Sequence, residues 1–94
     1  MAISLLVQQV SLEPHPLPFR RVRSIHGRSG KLNWMHTHEQ AIDFLENQIF
    51  TYHVKNSSLA VLLVVARTTD GQKYLKAKTD AEIPQLLFEL PQVD

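Results

Sequence analysis

The side chains in this sequence that could do chemistry are five histidines, nine carboxylates and a run of arginines; there is no cysteine. Without thiols there is no disulfide framework, thiolate metal site or cysteine nucleophile. His36 and His38 stand two apart, a spacing that puts side chains together on a strand but not on a helix. They straddle a predicted helix start, and no third ligand lies at a familiar spacing. His15, His26 and His53 could meet them only through tertiary structure. His53 beside Tyr52 on a strand points to the opposite face, so the two are not a dyad. No G-x-S-x-G elbow is present, and the carboxylates scatter over a helix face, a turn and the tail. The sequence therefore assigns no catalytic, cofactor-binding or metal-ligating residue.

The cations are less evenly spread than the formal net charge of +1 suggests. Arg20, Arg21, Arg23, Arg28 and Lys31 fall within twelve residues that hold no acid, whereas Asp80, Glu82, Glu89 and Asp94 close the chain with no base among them. Gly27-Arg28-Ser29-Gly30-Lys31 has too few residues between its glycines for a Walker loop, and its extended-looking flanks do not fit a KH loop. It reads as a basic turn. Arg20, Arg21, Arg23, Arg28 and Lys31 are the candidate nucleic-acid or anion-binding residues, with Phe19, Trp34, Tyr52 and Tyr74 as a stacking platform beside them. Against this stands the ordinary alternative, in which the aromatics belong to the core and lysines blunt sheet edges.

These residues are positioned by elements whose signals are local. Residues 3–10 read as one strand. Pro14, Pro16 and Pro18 make an extended connector, since proline lacks an amide donor and fixes φ. Phe19 to His26 reads as a second strand whose apolar positions Val22 and Ile25 share a face only if a bulge intervenes. After the 27–30 turn, Lys31 to Met35 returns as a third. Thr37-His38-Glu39-Gln40 is a capping box opening a helix with Ala41, Ile42, Leu45 and Ile49 on its inner face. Three strands follow: 51–55, the wholly apolar 59–66, and 73–78 after the Asp70-Gly71 hairpin turn. An uninterrupted apolar strand is expected to be central and covered on both faces. A short helix from about residue 83 to 89, with Asp80 as cap or lead-in, ends at Leu90-Pro91. The fold class is α+β: a single mostly antiparallel sheet in β-β-β-α-β-β-β-α order, with one main helix on one face and a short C-terminal helix.

Val22-Arg23, Trp34 ahead of the capped helix with Ala41-Ile42, Tyr52-His53-Val54, Tyr74-Leu75-Lys76, Asp80, Leu86-Leu87 and Leu90-Pro91 occur in that order. This series resembles the small bacterial family catalogued as domain of unknown function 3892. The likeness covers residues 20–92 and leaves the N-terminal strand and proline connector unmatched. The chain departs from the family pattern at Ala77, where Thr often follows the basic residue, and at Gln85, where Asn is frequent. The resemblance implies a fold and no catalytic residues.

Ninety-four residues, 44% of them hydrophobic and 20% charged, make a single small domain. The apolar start at Met1–Val7 has no basic residue before it and is broken by Gln8 and Gln9, unlike a signal peptide. The expected location is cytoplasmic. The expected function is a non-enzymatic binding or assembly module, self-associating as a homodimer through its N-terminal or an edge strand. The alternatives are a nucleic-acid-binding domain using the 20–31 segment and, behind it, a small enzyme or metal-binding protein.

Overall fold

The computed structural model describes residues 3–17, 20–56, 59–80 and 84–93. Its elements are β1 (Ile3–Leu6), β2 (Gln9–Leu12), β3 (Val22–Ser29), β4 (Leu32–Thr37), α1 (His38–Glu46), β5 (Phe50–Asn56), β6 (Leu59–Arg67), β7 (Lys73–Ala77) and α2 (Gln85–Phe88). The chain is α+β as expected, but the strands form two sheets, ordered β1-β5-β6-β7 and β2-β3-β4. The expected single sheet is thereby corrected.

The division occurs inside the segment that reads as one N-terminal strand. Ile3 to Leu6 pairs in parallel with Phe50 to His53, whereas Gln9 to Leu12 pairs antiparallel with β3. Between them the Val7 amide donates to His53 O at 2.8 Å and the Gln8 amide to His26 O at 2.9 Å, so adjacent residues bond to different sheets. The buried positions, Leu5 and Val7 and then Val10, change phase across this junction, but that shift does not say which strand each half meets. Every other pairing between named strands is antiparallel.

The expected bulge is present. Ser11 pairs with Ser24 and Leu12 with Val22, leaving Arg23 as the extra residue. Val22 and Ile25 consequently both enter the core. The β3–β4 turn is narrower than the glycines suggest: Ser29 pairs with Leu32 around Gly30 and Lys31, with Gly30 at φ 62°. Gly27 lies within the strand, where a Cβ would run into the Leu6 carbonyl and the Trp34 indole. Its role is to let β3 pass close to β1.

Thr37 caps α1 as the sequence indicates: Thr37 Oγ1 accepts from the Gln40 amide at 3.1 Å, and the Gln40 side chain accepts from the Thr37 amide at 3.0 Å. The helix stops at Glu46, and Gln48 takes a left-handed φ of 58°. Ile49 therefore lies beyond the helix and is exposed, contrary to its expected place on the inner face. Asp80 is also reassigned: Asp80 Oδ2 accepts from the Ala77 amide at 3.1 Å, closing the turn after β7, and α2 has no side-chain cap.

One core joins both sheets and both helices. Leu5, Val7, Val10, Val22, Ile25, Ala41, Ile42, Tyr52, Val54, Leu63, Leu75, Ala77 and Leu87 form it. β6 is central as expected, between β5 and β7, but Leu63 is its one fully buried residue, at 3% exposed: Leu59 is 68% and Leu62 50% exposed, and Val61, Val64, Val65 and Ala66 are half-buried. The expectation of cover on both faces is corrected by this partial exposure.

Candidate functional site

Each histidine is committed to a hydrogen bond. His15 Nδ1 accepts from the Leu17 amide, His26 Nε2 lies 2.7 Å from Ser24 Oγ, and His53 Nδ1 lies 3.1 Å from Ser4 Oγ. His38, in the first turn of α1, accepts from the Leu75 amide through Nε2 at 3.1 Å, which satisfies a backbone donor on β7. Desolvation lowers the His38 pKa below its ordinary value against the opposing pull of Glu39, as the acceptor role requires. Among the described residues no three His, Asp or Glu side chains are grouped as metal ligands.

His36 sits among aromatic rings contributed by β4, α1 and β5. Its ring centroid lies 5.0 Å from Trp34, 4.8 Å from Phe44 and 5.2 Å from Phe50, and its Nδ1 is 2.6 Å from the Tyr52 hydroxyl. Burial lowers the His36 pKa and raises that of Tyr52. The neutral pair is therefore favoured, with the phenol donating to the imidazole. The imidazole occupies the middle of this ring cluster, in which Tyr52 is buried and Trp34, His36, Phe44 and Phe50 are half-buried.

The five candidate cations do not form one patch. Arg20 and Arg23 line a cleft of about 600 Å³ together with Glu13, His15, His38, Glu39 and Lys73. Arg20 Nε donates to Gln72 Oε1 at 2.8 Å, and Lys73 is paired with Glu46 at 2.8 Å. Arg21 turns to the proline connector, where its Nε donates to the His15 carbonyl at 2.8 Å. Arg28 and Lys31 are exposed at the hairpin end of β3, five and eight residues along the chain from Arg23. At about 3.3 Å per residue, Arg23 and Arg28 stand roughly 16 Å apart along the strand. The aromatic residues are also withdrawn: Tyr52 and Tyr74 are buried and Trp34 is half-buried against His36 and Tyr52. Phe19 lies outside the described residues.

A different surface emerges on the outer face of the four-stranded sheet. The core side chains Leu5, Tyr52, Val54, Leu63 and Leu75 face the helices and the second sheet. By alternation Leu6, Thr51, His53, Lys55, Ala60, Leu62, Val64 and Lys76 point the other way. Register aligns Leu6 with His53 and His53 with Leu62 across three strands, and Val64 with Lys76 across the next pair. The result is an apolar strip, Leu6, Ala60, Leu62 and Val64, which closes toward Ala66 and the buried Tyr74. Sequence reasoning missed it as a surface, although its signal was present. β6 is apolar in both side-chain phases, and in the outer phase Leu62 is 50% exposed while Val64 and Ala66 beside it are half-buried.

No family model, curated protein or solved structure matches the chain.

Proposed function

We propose that this chain is a non-enzymatic binding or assembly module, and that the outer face of the four-stranded sheet is its interaction surface. One observation carries the proposal: β6 is apolar on both faces, and at its middle Leu62 on the outer face stays 50% exposed while its neighbour Leu63 is buried. An antiparallel sheet with one wet side ordinarily alternates apolar with polar. Apolar residues retained on the open side point to a cover from outside the chain. The cleft favours chemistry less, because His38 already accepts the Leu75 amide and Lys73 is paired. Likeness to domain of unknown function 3892, carried by Tyr74-Leu75-Lys76 and Leu90-Pro91, belongs to the same proposal and adds no activity to it.

The test is Leu62→Thr, which removes apolar surface while keeping a good strand former. The expected result is a stability change within about 0.5 kcal/mol by urea denaturation, as for an ordinary surface site, with reduced binding of a hydrophobic dye. A loss above about 2 kcal/mol would mean that the chain itself packs this face, and would end the proposal.

A further inference from the structure

We infer that the free edge of β4 pairs with β4 of a second copy of this chain, antiparallel about a twofold axis centred on Trp34. This edge belongs to the three-stranded sheet and is independent of the outer face of the other sheet.

β4 is the sheet edge left open. Among the described residues the other edges have neighbours within the chain. The tail bonds to β2 at Val10, the Leu75 amide of β7 donates to His38 Nε2, and β1 lies against β3, where a Cβ on Gly27 would meet the Leu6 carbonyl. β4 has β3 on one side and no strand on the other. The two-residue turn decides which backbone groups face out. Ser29 and Leu32 form the hydrogen-bonded pair that closes it, so Leu32, Trp34 and His36 turn their backbone groups to β3. Asn33, Met35 and Thr37 turn theirs outward. The Thr37 amide agrees with this phase, since it donates to Gln40 Oε1. The amides and carbonyls of Asn33 and Met35 have no hydrogen-bond partner among the described residues.

Exposed edges are ordinarily guarded by a charge, a proline or a bulge. β4 holds no Asp, Glu, Lys, Arg or Pro, and its register with β3 is regular. It also carries two exposed apolar side chains, Leu32 at 75% and Met35 at 53%.

The strand is complementary to itself. With Asn33 of one copy opposite Met35 of the other, the two residues exchange their amide and carbonyl bonds, and the twofold axis repeats the exchange. A shift of two residues either way brings in Thr37, whose amide is already taken, or the turn at Lys31. The same register sets Leu32 opposite His36 of the second copy, on the face that carries the half-buried Trp34 and His36 rings, where its side chain gains apolar cover. Lys31 falls opposite Thr37 of the second copy, two residues from Glu39; both charges are exposed, and they attract. Any extended strand could use the backbone bonds, but β4 itself also matches in side chains and flanking charge. A strand ~20 Å long buries less than the roughly 800 Å² per side of a stable pair, so the dimer is weak, with a dissociation constant on the order of 10–100 µM.

The experiment is sedimentation velocity on the full chain from about 5 to about 500 µM, with amide hydrogen exchange by NMR at both ends of that range. A reversible monomer–dimer equilibrium is expected, with the Asn33 and Met35 amides exchanging more slowly at the higher concentration. Met35→Pro removes an outward donor that the fold does not use, at a position where edge strands tolerate proline. Leu32→Lys changes a side chain that the monomer leaves exposed. Each should weaken association about tenfold or more with an unchanged circular dichroism spectrum, and Leu32→Lys decides if Met35→Pro misfolds. Leu62→Thr should leave association unchanged. A chain still monomeric at the highest concentration, or a dimer whose Asn33 and Met35 amides exchange as fast as in the monomer, overturns the inference. A dimer that Leu62→Thr dissociates and Leu32→Lys does not would put the contact on the outer face of the other sheet; the inference then falls and the reading of that face stands.

Discussion

A neutral imidazole satisfies a backbone amide at His38, and that single contact makes the fold sensitive to acid. The Leu75 amide has His38 Nε2 as its acceptor, and protonation would turn that acceptor into a donor. Desolvation also lowers the pKa of His26 and His36. A histidine whose folded pKa lies below its ordinary value near 6.5 binds more protons when unfolded. Its contribution is therefore complete above about pH 6.5 and is lost as pH falls from there through the folded value. Urea denaturation at pH 7.5 and 5.5 should show the protein less stable at the lower pH. His38→Phe should cost about 1–3 kcal/mol at pH 7.5, because the Leu75 amide is left unsatisfied, and should weaken the pH dependence. A variant with undiminished stability would mean the amide finds water. Gly27 offers a second test at this scale. Gly27→Ala places a methyl against the Leu6 carbonyl and the Trp34 ring, and should destabilise by about 1–3 kcal/mol, measured as a lower urea midpoint.

Adjacent residues of β6 have opposite environments, and this separates what the sequence made legible from what it did not. Leu63 lies in the core and Leu62 on the open face. Leu63→Ala should cost about 2–5 kcal/mol and Leu62→Ala under about 1, by thermal or urea unfolding of both variants. Local signals were readable because they act within a few residues: the Thr37–Gln40 box, the Asp70-Gly71 hairpin, and the bulge demanded by Val22 and Ile25. The number of sheets was not readable. It depends on which strand the Val7 and Gln8 backbone groups meet, and side-chain type does not encode that. Cover on β6 was legible by half: its composition shows two apolar faces, but only the tertiary arrangement decides that Leu63 is buried while Leu59 and Leu62 are not. The dispersal of the basic run was hidden for a related reason. Sequence proximity placed Arg23 and Arg28 together, while an extended strand carries them to opposite ends and turns Arg21 toward His15.

At the scale of the molecule, the two sheets are held together by the segment that seemed most separable. Leu5 and Val7 enter the core from β1 and the link after it, Val10 from β2, and β1 closes the free edge of β5 in parallel. The C-terminal tail returns to the same place: the Val10 amide donates to Pro91 O, and the Val93 amide to Val10 O, both at 3.0 Å. β2 thus lies between the tail and β3, and the edge it would otherwise expose is occupied from within the chain. Leu5, Val7 and Val10 of the first eighteen residues are core side chains whose burial is worth about 1.5–3 kcal/mol each. Domains of this size have a total stability of roughly 5–14 kcal/mol. Removing residues 1–18 takes away a large share of that and exposes the β5 edge together with the apolar surfaces of Tyr52 and Ile25. A chain beginning at residue 19 should consequently show no cooperative thermal transition by circular dichroism and should aggregate in light scattering. A cooperative, monomeric truncation would mean that the two sheets cohere through α1 and α2 alone, and that the N-terminal segment is an accessory to the fold.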